Sequence, residues 1–309
     1  MLNDPIATAE WHAKRLQVCG ASELACLFGA QKPYQLSHFA LWNVKAKLID
    51  APVIDDERVQ MGNDLEPAIA DIVARRKGWP IRKGEHIVDL QCPGLGATLD
   101  YIIETPENFG ALEIKNVDNA EWKQHWQNGE PPMHILLQLM AQLACSGFSW
   151  GAVGALVGGN RVEVYKYEAR PALIAEIRAR VRAFWKSIDE GKPPAIDGSD
   201  SSFYALKELH PTIRDESLNL TGDNEFPALC GEFLSLNEER KRLEKEEATA
   251  KARIMAKLGS ARSAWTDGFS ARFVEVADDP GKLVTPAMVG MYIGTRRGYR
   301  KLVVQESGK

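Results

Sequence analysis

The chain lacks any paired cysteine motif. Its five cysteines, Cys19, Cys26, Cys92, Cys145 and Cys230, are odd in number and widely scattered. Without a C-x-x-C pair, neither a zinc site nor an iron–sulfur cluster is indicated. Reduced, mostly buried thiols are expected instead. No run of 18 or more apolar residues occurs, so no transmembrane helix is expected. The first fifteen residues are polar and charged, with no apolar stretch of signal-peptide type, and a cytoplasmic location is expected. Excess positive charge is also missing: the net charge is −4 over 309 residues. Histidine is sparse, at six residues. His86, His125 and His134 have no i, i+4 spacing of a helical ligand pair and are expected to be structural.

What is present is the composition of a globular protein, 45% hydrophobic and 26% charged. The charge is unevenly spread. Residues 250–309 hold eleven Lys or Arg against five Asp or Glu, a balance of +6, which leaves −10 for the rest. Such a basic segment suits a nucleic-acid or partner contact, and a solvated surface explains it equally well. Within it, Arg296, Arg297, Tyr299, Arg300 and Lys301 read either as a DNA-tracking cluster or as a charged sheet edge.

The apolar pattern changes period along the chain. Residues 8–48 read as helical with a break at 31–34. A helix start is expected near Ser22, which can cap, with Glu23 favouring the positive end. Residues 62–77 place Leu65, Ile69, Ile72 and Val73 on one helical face. Residues 86–90, 96–103 and 111–116 then read as a three-stranded meander separated by turn signals. A helix over 135–146 follows. Strands at 151–157 and 162–167 are joined by Gly158-Gly159-Asn160, a hairpin signal rather than a phosphate loop. A helix over 171–190 ends at Gly191 and Pro193-Pro194. This order gives an α/β fold, a mixed central sheet flanked by helices.

Three segments are expected: a core over 1–196, a linker over 197–229 rich at its start in Asp, Ser and Gly, and an accessory module over 230–309. The module reads as a charged helix over 230–258 followed by short strands, a small α+β unit. Leu236, Leu243, Ala250 and Ile254 form a thin apolar stripe on that helix. Trp122 and Trp126 could stack on bases, but their spacing suits packing on one helix face.

The chemistry concentrates in Asp100 and in Glu113-Ile114-Lys115. On a strand, Glu113 and Lys115 share one face and Ile114 takes the other. Asp100, expected near the middle of the preceding strand, can join them across the hairpin. Two carboxylates and the Ile114 carbonyl make an all-oxygen set suited to Mg²⁺ or Mn²⁺. Lys115 beside them could orient or deprotonate an attacking water and offset charge on a phosphate. Alone, an E-x-K strand is a common solvated face. Glu66 on the helix before the strands, and Gln138 and Gln142 one turn apart on the helix after them, make chance a poorer explanation.

These pieces, in this order, resemble the YqaJ-type viral recombinase exonucleases, relatives of phage lambda exonuclease in the PD-(D/E)xK nuclease superfamily. The matching stretches, within about residues 12–195, are RLQVCGASELACLFG, GNDLEP, GATLDYIIE, ALEIKN, PPMHILLQLMAQLACSG and FWKSIDEGKPP. The resemblance implies a restriction-endonuclease-like core and a pair of metal ions bound by Asp100, Glu113 and the Ile114 carbonyl, with Glu66 near the second ion. It implies Lys115 as catalytic lysine and Gln138 as active-site glutamine. Arg15 and Ser22 match the pocket for a 5′-terminal phosphate, and a guanidinium fork with a hydroxyl at a helix start is a sound anion site. It further implies 5′→3′ digestion of double-stranded DNA ends, a homo-oligomeric ring for which a trimer is one candidate, a single-strand annealing partner protein, and action in the cytoplasm of a bacterial or phage-infected cell. Two departures stand out. Ile135 replaces a frequent aromatic, and no arginine follows the E-x-K strand, where Lys123 is the nearest basic residue. An endonuclease of the same superfamily, and a non-cleaving DNA-end or partner-binding protein, are the rival readings.

Overall fold

The computed structural model describes residues 14–52, 57–126 and 130–276. The chain divides between Ile213 and Arg214 into two units.

The first unit opens with a two-residue strand, β1 (Cys19–Gly20), and a 3-10 helix over Ala21–Phe28. Helices α1 (His38–Lys45) and α2 (Glu57–Lys77) follow. Then come strands β2 (Ile81–Lys83), β3 (His86–Val88), β4 (Leu95–Thr98), β5 (Tyr101–Glu104) and β6 (Phe109–Val117). Helices α3 (Asn119–His125) and α4 (Met133–Ser146) lead to β7 (Trp150–Val157) and β8 (Arg161–Glu168). Helices α5 (Pro171–Asp189) and α6 (Asp200–Leu209) complete the unit.

A five-stranded mixed sheet runs in the order β2-β5-β6-β7-β8. Its pairs are antiparallel except β6 with β7, which are parallel. A parallel pair needs a crossover, and α4 lies within it. The two parallel strands are nearly continuous in buried residues because both faces of the sheet are covered. On one face Ile69 and Val73 of α2 pack with Leu112 and Ile114. On the other, Leu139 and Leu143 of α4 join the larger core. Two glycines of β7 allow the close approach. A Cβ on Gly151 would lie 2.9 Å from Leu139, and one on Gly154 would lie 2.8 Å from Val73. The helix–sheet–helix layering expected from the sequence is therefore present. Gly158 and Gly159, both at positive φ, make the β7–β8 turn as their sequence demands.

The expected meander differs in one place that matters. Residues 96–103 are not one strand. They break at Leu99-Asp100 into β4 and β5, which belong to different sheets. β4 pairs with β3 and, in parallel, with β1. The cause lies in residues 84–85. Gly84 donates its N–H to the Asp100 carbonyl at 3.0 Å, and Leu99 donates to the Glu85 carbonyl at 3.2 Å. Leu99 is buried at the break, so close to Gly84 that no side chain fits there. Asp100 therefore sits at a bend between sheets, not in mid-strand.

The N-terminal segment is also less helical than expected. The 3-10 helix is capped by Gly20, not Ser22, and Glu23 accepts the Gly20 N–H at 2.7 Å. Part of the expected 197–229 linker is ordered structure. α6 buries Ala205 against Phe39, Ala40 and Val44, and the Ser202 and Ser37 hydroxyls lie 2.8 Å apart. The cap that starts α6, Ser199 accepting the Ser202 N–H, is built from the Asp-Ser-Gly stretch that reads as a linker in sequence.

The second unit holds a 33-residue helix, α7 (Phe226–Leu258), and the hairpin of β9 (Ser263–Thr266) with β10 (Phe269–Arg272). Leu236, Leu243 and Ile254 are exposed on α7. The basic cluster at 296–301, and the strands expected beyond 276, lie outside the described residues.

Candidate active site

Glu66, Glu113, Lys115 and Gln138 are carried by regular helices and strands, Asp100 by the bend between β4 and β5, and Arg15 by the segment before β1. Glu113 and Lys115 lie on β6 with Ile114 between them. Ile114 turns to the α2 side of the sheet, among Ile69 and Val73. Glu113 and Lys115 turn to the α4 side, where Gln138 and Gln142 reach Glu113. The period of two on the strand and of nearly four on the helix thus bring four polar side chains to one point.

Glu113 is the hub. It is only 1% exposed, so it is enclosed rather than set in an open cleft. Its Oε1 is paired with the Lys115 ammonium and accepts the Gln138 amide at 2.7 Å. Its Oε2 accepts the Gln142 amide at 2.5 Å. Gln142 is itself fully buried and also donates to the Thr98 carbonyl at 3.2 Å. Its own Oε1 has no hydrogen-bond partner among the described residues. Gln142 shares a helix face with Gln138 in sequence, yet only the structure shows that it fastens Glu113 to the end of β4.

Asp100 meets the trio from the bend. Its Oδ2 accepts the Ile114 N–H at 2.8 Å. Burial, and then the charge of Glu113, push its carboxyl up to about 8, while Lys115 and the Ile114 N–H pull the other way. Burial alone would lower the Lys115 ammonium. The Glu113 and Asp100 carboxylates override it, and the net shift is upward. Lys115 is therefore a charged group at neutral pH.

Glu66 stands at the margin. It is ion-paired with Lys83, and its charge also raises Asp100. Among the described residues no three His, Cys, Asp or Glu side chains converge as a metal cage. Two facing carboxyl groups, one driven toward its neutral form by burial and then by the charge of the other, are still a donor set that a divalent cation would relieve. The chemistry of Asp100 and Glu113 fits Mg²⁺ or Mn²⁺.

Arg15 and Ser22 lie on the segment around β1. That strand is laddered to β4, with Cys19 opposite Leu95 and Gly20 opposite Gly96. Two residues beyond β4 is Asp100. The predicted phosphate residues and the predicted metal residues are thus tied through one short sheet. Arg15 reaches Glu23, the neighbour of Ser22, at 3.4 Å. Ser22 is exposed, and its carbonyl accepts from Gln35. His86, a structural histidine by sequence, faces this region. Its Nδ1 is 3.2 Å from the Thr98 hydroxyl, and burial followed by the charges of Lys14 and Arg15 lowers its pKa.

On the far side, Lys32 bonds Glu121 at 2.6 Å, and His134 sits within the field of Lys32 and Lys115. Burial first, then those cations, brings His134 down to about 4. Trp126 is buried against Tyr165, with ring centroids 5.3 Å apart, and Trp122 donates to the Tyr165 hydroxyl at 3.4 Å. The tryptophans pack, as their spacing suggests.

Comparison with known proteins agrees with the motifs. Residues 10–149 match the YqaJ-like viral recombinase domain. The fold is similar to the crystal structure of an alkaline exonuclease, LHK-Exo, from Laribacter hongkongensis. That likeness has 23% identity and a TM-score of 0.51, over 59% of this chain and 93% of that one. LHK-Exo in complex with dAMP matches at 24% identity and a TM-score of 0.50, with the same coverage. No curated protein matches. The family resemblance read from the motifs is borne out, and so is the mixed-sheet nuclease fold.

Proposed function

We propose that this chain is a metal-dependent deoxyribonuclease that digests linear double-stranded DNA from a 5′-phosphorylated end, in phage- or prophage-type recombination. The observation that carries the reading is the Glu113 hub. A buried carboxylate gripped by Lys115, Gln138 and Gln142, with Asp100 drawn to the Ile114 N–H, has no structural use that an apolar core would not serve better. The match of residues 10–149 to a recombinase domain, and the nuclease named among similar folds, support the same activity.

Asp100, Glu113 and the Ile114 carbonyl, with Glu66 beside them, would hold Mg²⁺ or Mn²⁺, in one or two ions. A divalent ion there supplies Lewis-acid neutralisation of the charge on the attacked phosphate. The protein's own groups do the rest. Lys115, kept protonated by its carboxylate neighbours, places a fixed positive charge beside the scissile phosphate. Gln138 and Gln142 donate to both oxygens of Glu113 and so orient its carboxyl group. Arg15 and Ser22 would take the terminal phosphate, and the β1–β4 ladder would fix its distance from Asp100.

Proposed partners follow the same family logic: double-stranded DNA ends, further copies of the chain in a ring, and a single-strand annealing protein. The cytoplasm is the proposed place of action, and no described helix is long and apolar enough to cross a membrane. A ring would let a chain of net charge −4 stay on DNA, since only its inner wall needs positive charge. The test is an end-labelled linear duplex beside a closed circular duplex. Loss of the linear substrate with an intact circle is expected. Cleavage of the circle at a comparable rate would make the protein an endonuclease.

A further inference from the structure

We propose that Glu23, anchored by the buried Lys45, is a positioning residue that sets the pose of Arg15 and thereby the preference for a phosphorylated 5′ end. The proposal rests on the reading of Arg15 as an end-phosphate contact.

The Lys45 side chain is only 2% exposed, on a helix packed in the small core around Phe39 and Ala205. It donates to the Arg15 carbonyl at 2.7 Å and lies 2.8 Å from Glu23 Oε2. The same oxygen accepts the Gly20 N–H at 2.7 Å. Glu23 Oε1 is turned to the Arg15 guanidinium at 3.4 Å. One oxygen of Glu23 is thus committed to fixed groups, and the other faces Arg15. Lys45 grips Arg15 twice, at its backbone directly and at its side chain through Glu23.

This arrangement is poorly explained as a source of stability. A buried ion pair gains little over an apolar pair of the same volume, because both charges lose their water. Its use is geometric. An arginine side chain is long and rich in rotamers, and ordering it on binding weakens the contact. Glu23 restrains it beforehand. The 3.4 Å contact is long and weak, so a phosphate dianion can outcompete it. Lys45 keeps Glu23 from swinging onto Arg15 more tightly and masking it.

The test is the ratio of digestion rates on 5′-phosphorylated and 5′-hydroxyl linear duplexes. The main variant is the double substitution Glu23→Gln with Lys45→Met. It removes one negative and one positive charge together, leaving the local net charge and side-chain volume nearly unchanged. General attraction to DNA is therefore preserved, and a change in the ratio reports the pose of Arg15. The ratio is expected to fall at least fivefold, with the circular dichroism of the wild type retained. Glu23→Asp, which keeps both charges and withdraws the carboxylate by one methylene, is the second variant and decides the matter if the double variant does not fold. It is expected to lower the ratio by a smaller factor. An unchanged ratio in folded variants overturns the proposal while leaving the end-recognition reading intact. A wild-type ratio near one removes the end-recognition reading itself, and this proposal with it.

Discussion

The Asp100 carboxylate accepts the Ile114 N–H at 2.8 Å, clasping the bend that follows β4 to the middle of β6. The bond fixes the carboxyl that has been pushed up to about 8, first by burial and then by Glu113. The consequence for stability has a definite sign. An acid whose folded value exceeds its unfolded one stabilises the fold when protonated. That contribution is present below the ordinary carboxylate range and is lost as pH rises through about 8. Metal-free protein in EDTA is therefore expected to melt lower at pH 9 than at pH 6. Asp100→Asn keeps an acceptor for Ile114, and it should reduce this difference while abolishing digestion. Thermal unfolding of both proteins at the two pH values checks it. An equal pH-induced drop in both proteins would contradict the buried-acid account.

Gln142→Leu separates hub integrity from chemistry. The substitution leaves Glu113 Oε2 and the Thr98 carbonyl without their donor. Loss of a group that orients a metal-binding carboxylate typically costs about 10- to 100-fold in activity or metal affinity. The expected result is a shift of the Mg²⁺ titration to higher concentration along with the loss of rate. Wild-type behaviour in that titration would reduce Gln142 to packing.

Gly84→Ala tests whether the bend itself matters. A Cβ there would sit 2.2 Å from the Leu99 carbonyl oxygen, and backbone cannot yield as a side chain does. Overpacking of this kind costs on the order of 1–3 kcal/mol. Urea denaturation should show that loss, and digestion measured well below the transition should fall as Asp100 is displaced. A variant that is as stable and active as wild type would mean that the break between β4 and β5 is not held from Gly84.

Much of the arrangement of the candidate site was legible in the sequence, for identifiable reasons. Side-chain alternation on one strand places Glu113 with Lys115, and helical spacing places Gln138 with Gln142. Both are local rules that survive folding. The apolar runs of β6 and β7 announce a sheet covered on both faces. What was not legible depends on contacts distant in sequence. The break at Asp100 is set by Gly84 and Glu85, and nothing in 96–103 itself marks it. Gln142 gains its role only because Glu113 and the Thr98 carbonyl meet above it. Glu23 reads as a favourable charge at a helix start, whereas its actual partners come from Lys45 and Arg15. The helix α6 was hidden in a stretch of Asp, Ser and Gly, because the cap residues that begin a helix are the same ones that populate linkers.

Arg15→Ala isolates end recognition from cleavage. The variant is expected to digest 5′-phosphorylated and 5′-hydroxyl ends at similar rates, with about a tenfold loss on the phosphorylated end, the size of one lost charge-assisted contact. Competition between the two labelled duplexes in one tube measures the ratio directly. Retention of a wild-type preference would place the end phosphate elsewhere.

The most direct measurement of the central claim compares wild type with Lys115→Ala on a 5′-phosphorylated linear duplex, in Mg²⁺ and in EDTA. The account predicts digestion by the wild type only in Mg²⁺, with a loss of at least about a hundredfold on removing Lys115, in line with other electrostatic groups at developing charge. Equal activity of the two proteins, or digestion that persists in EDTA, would contradict it.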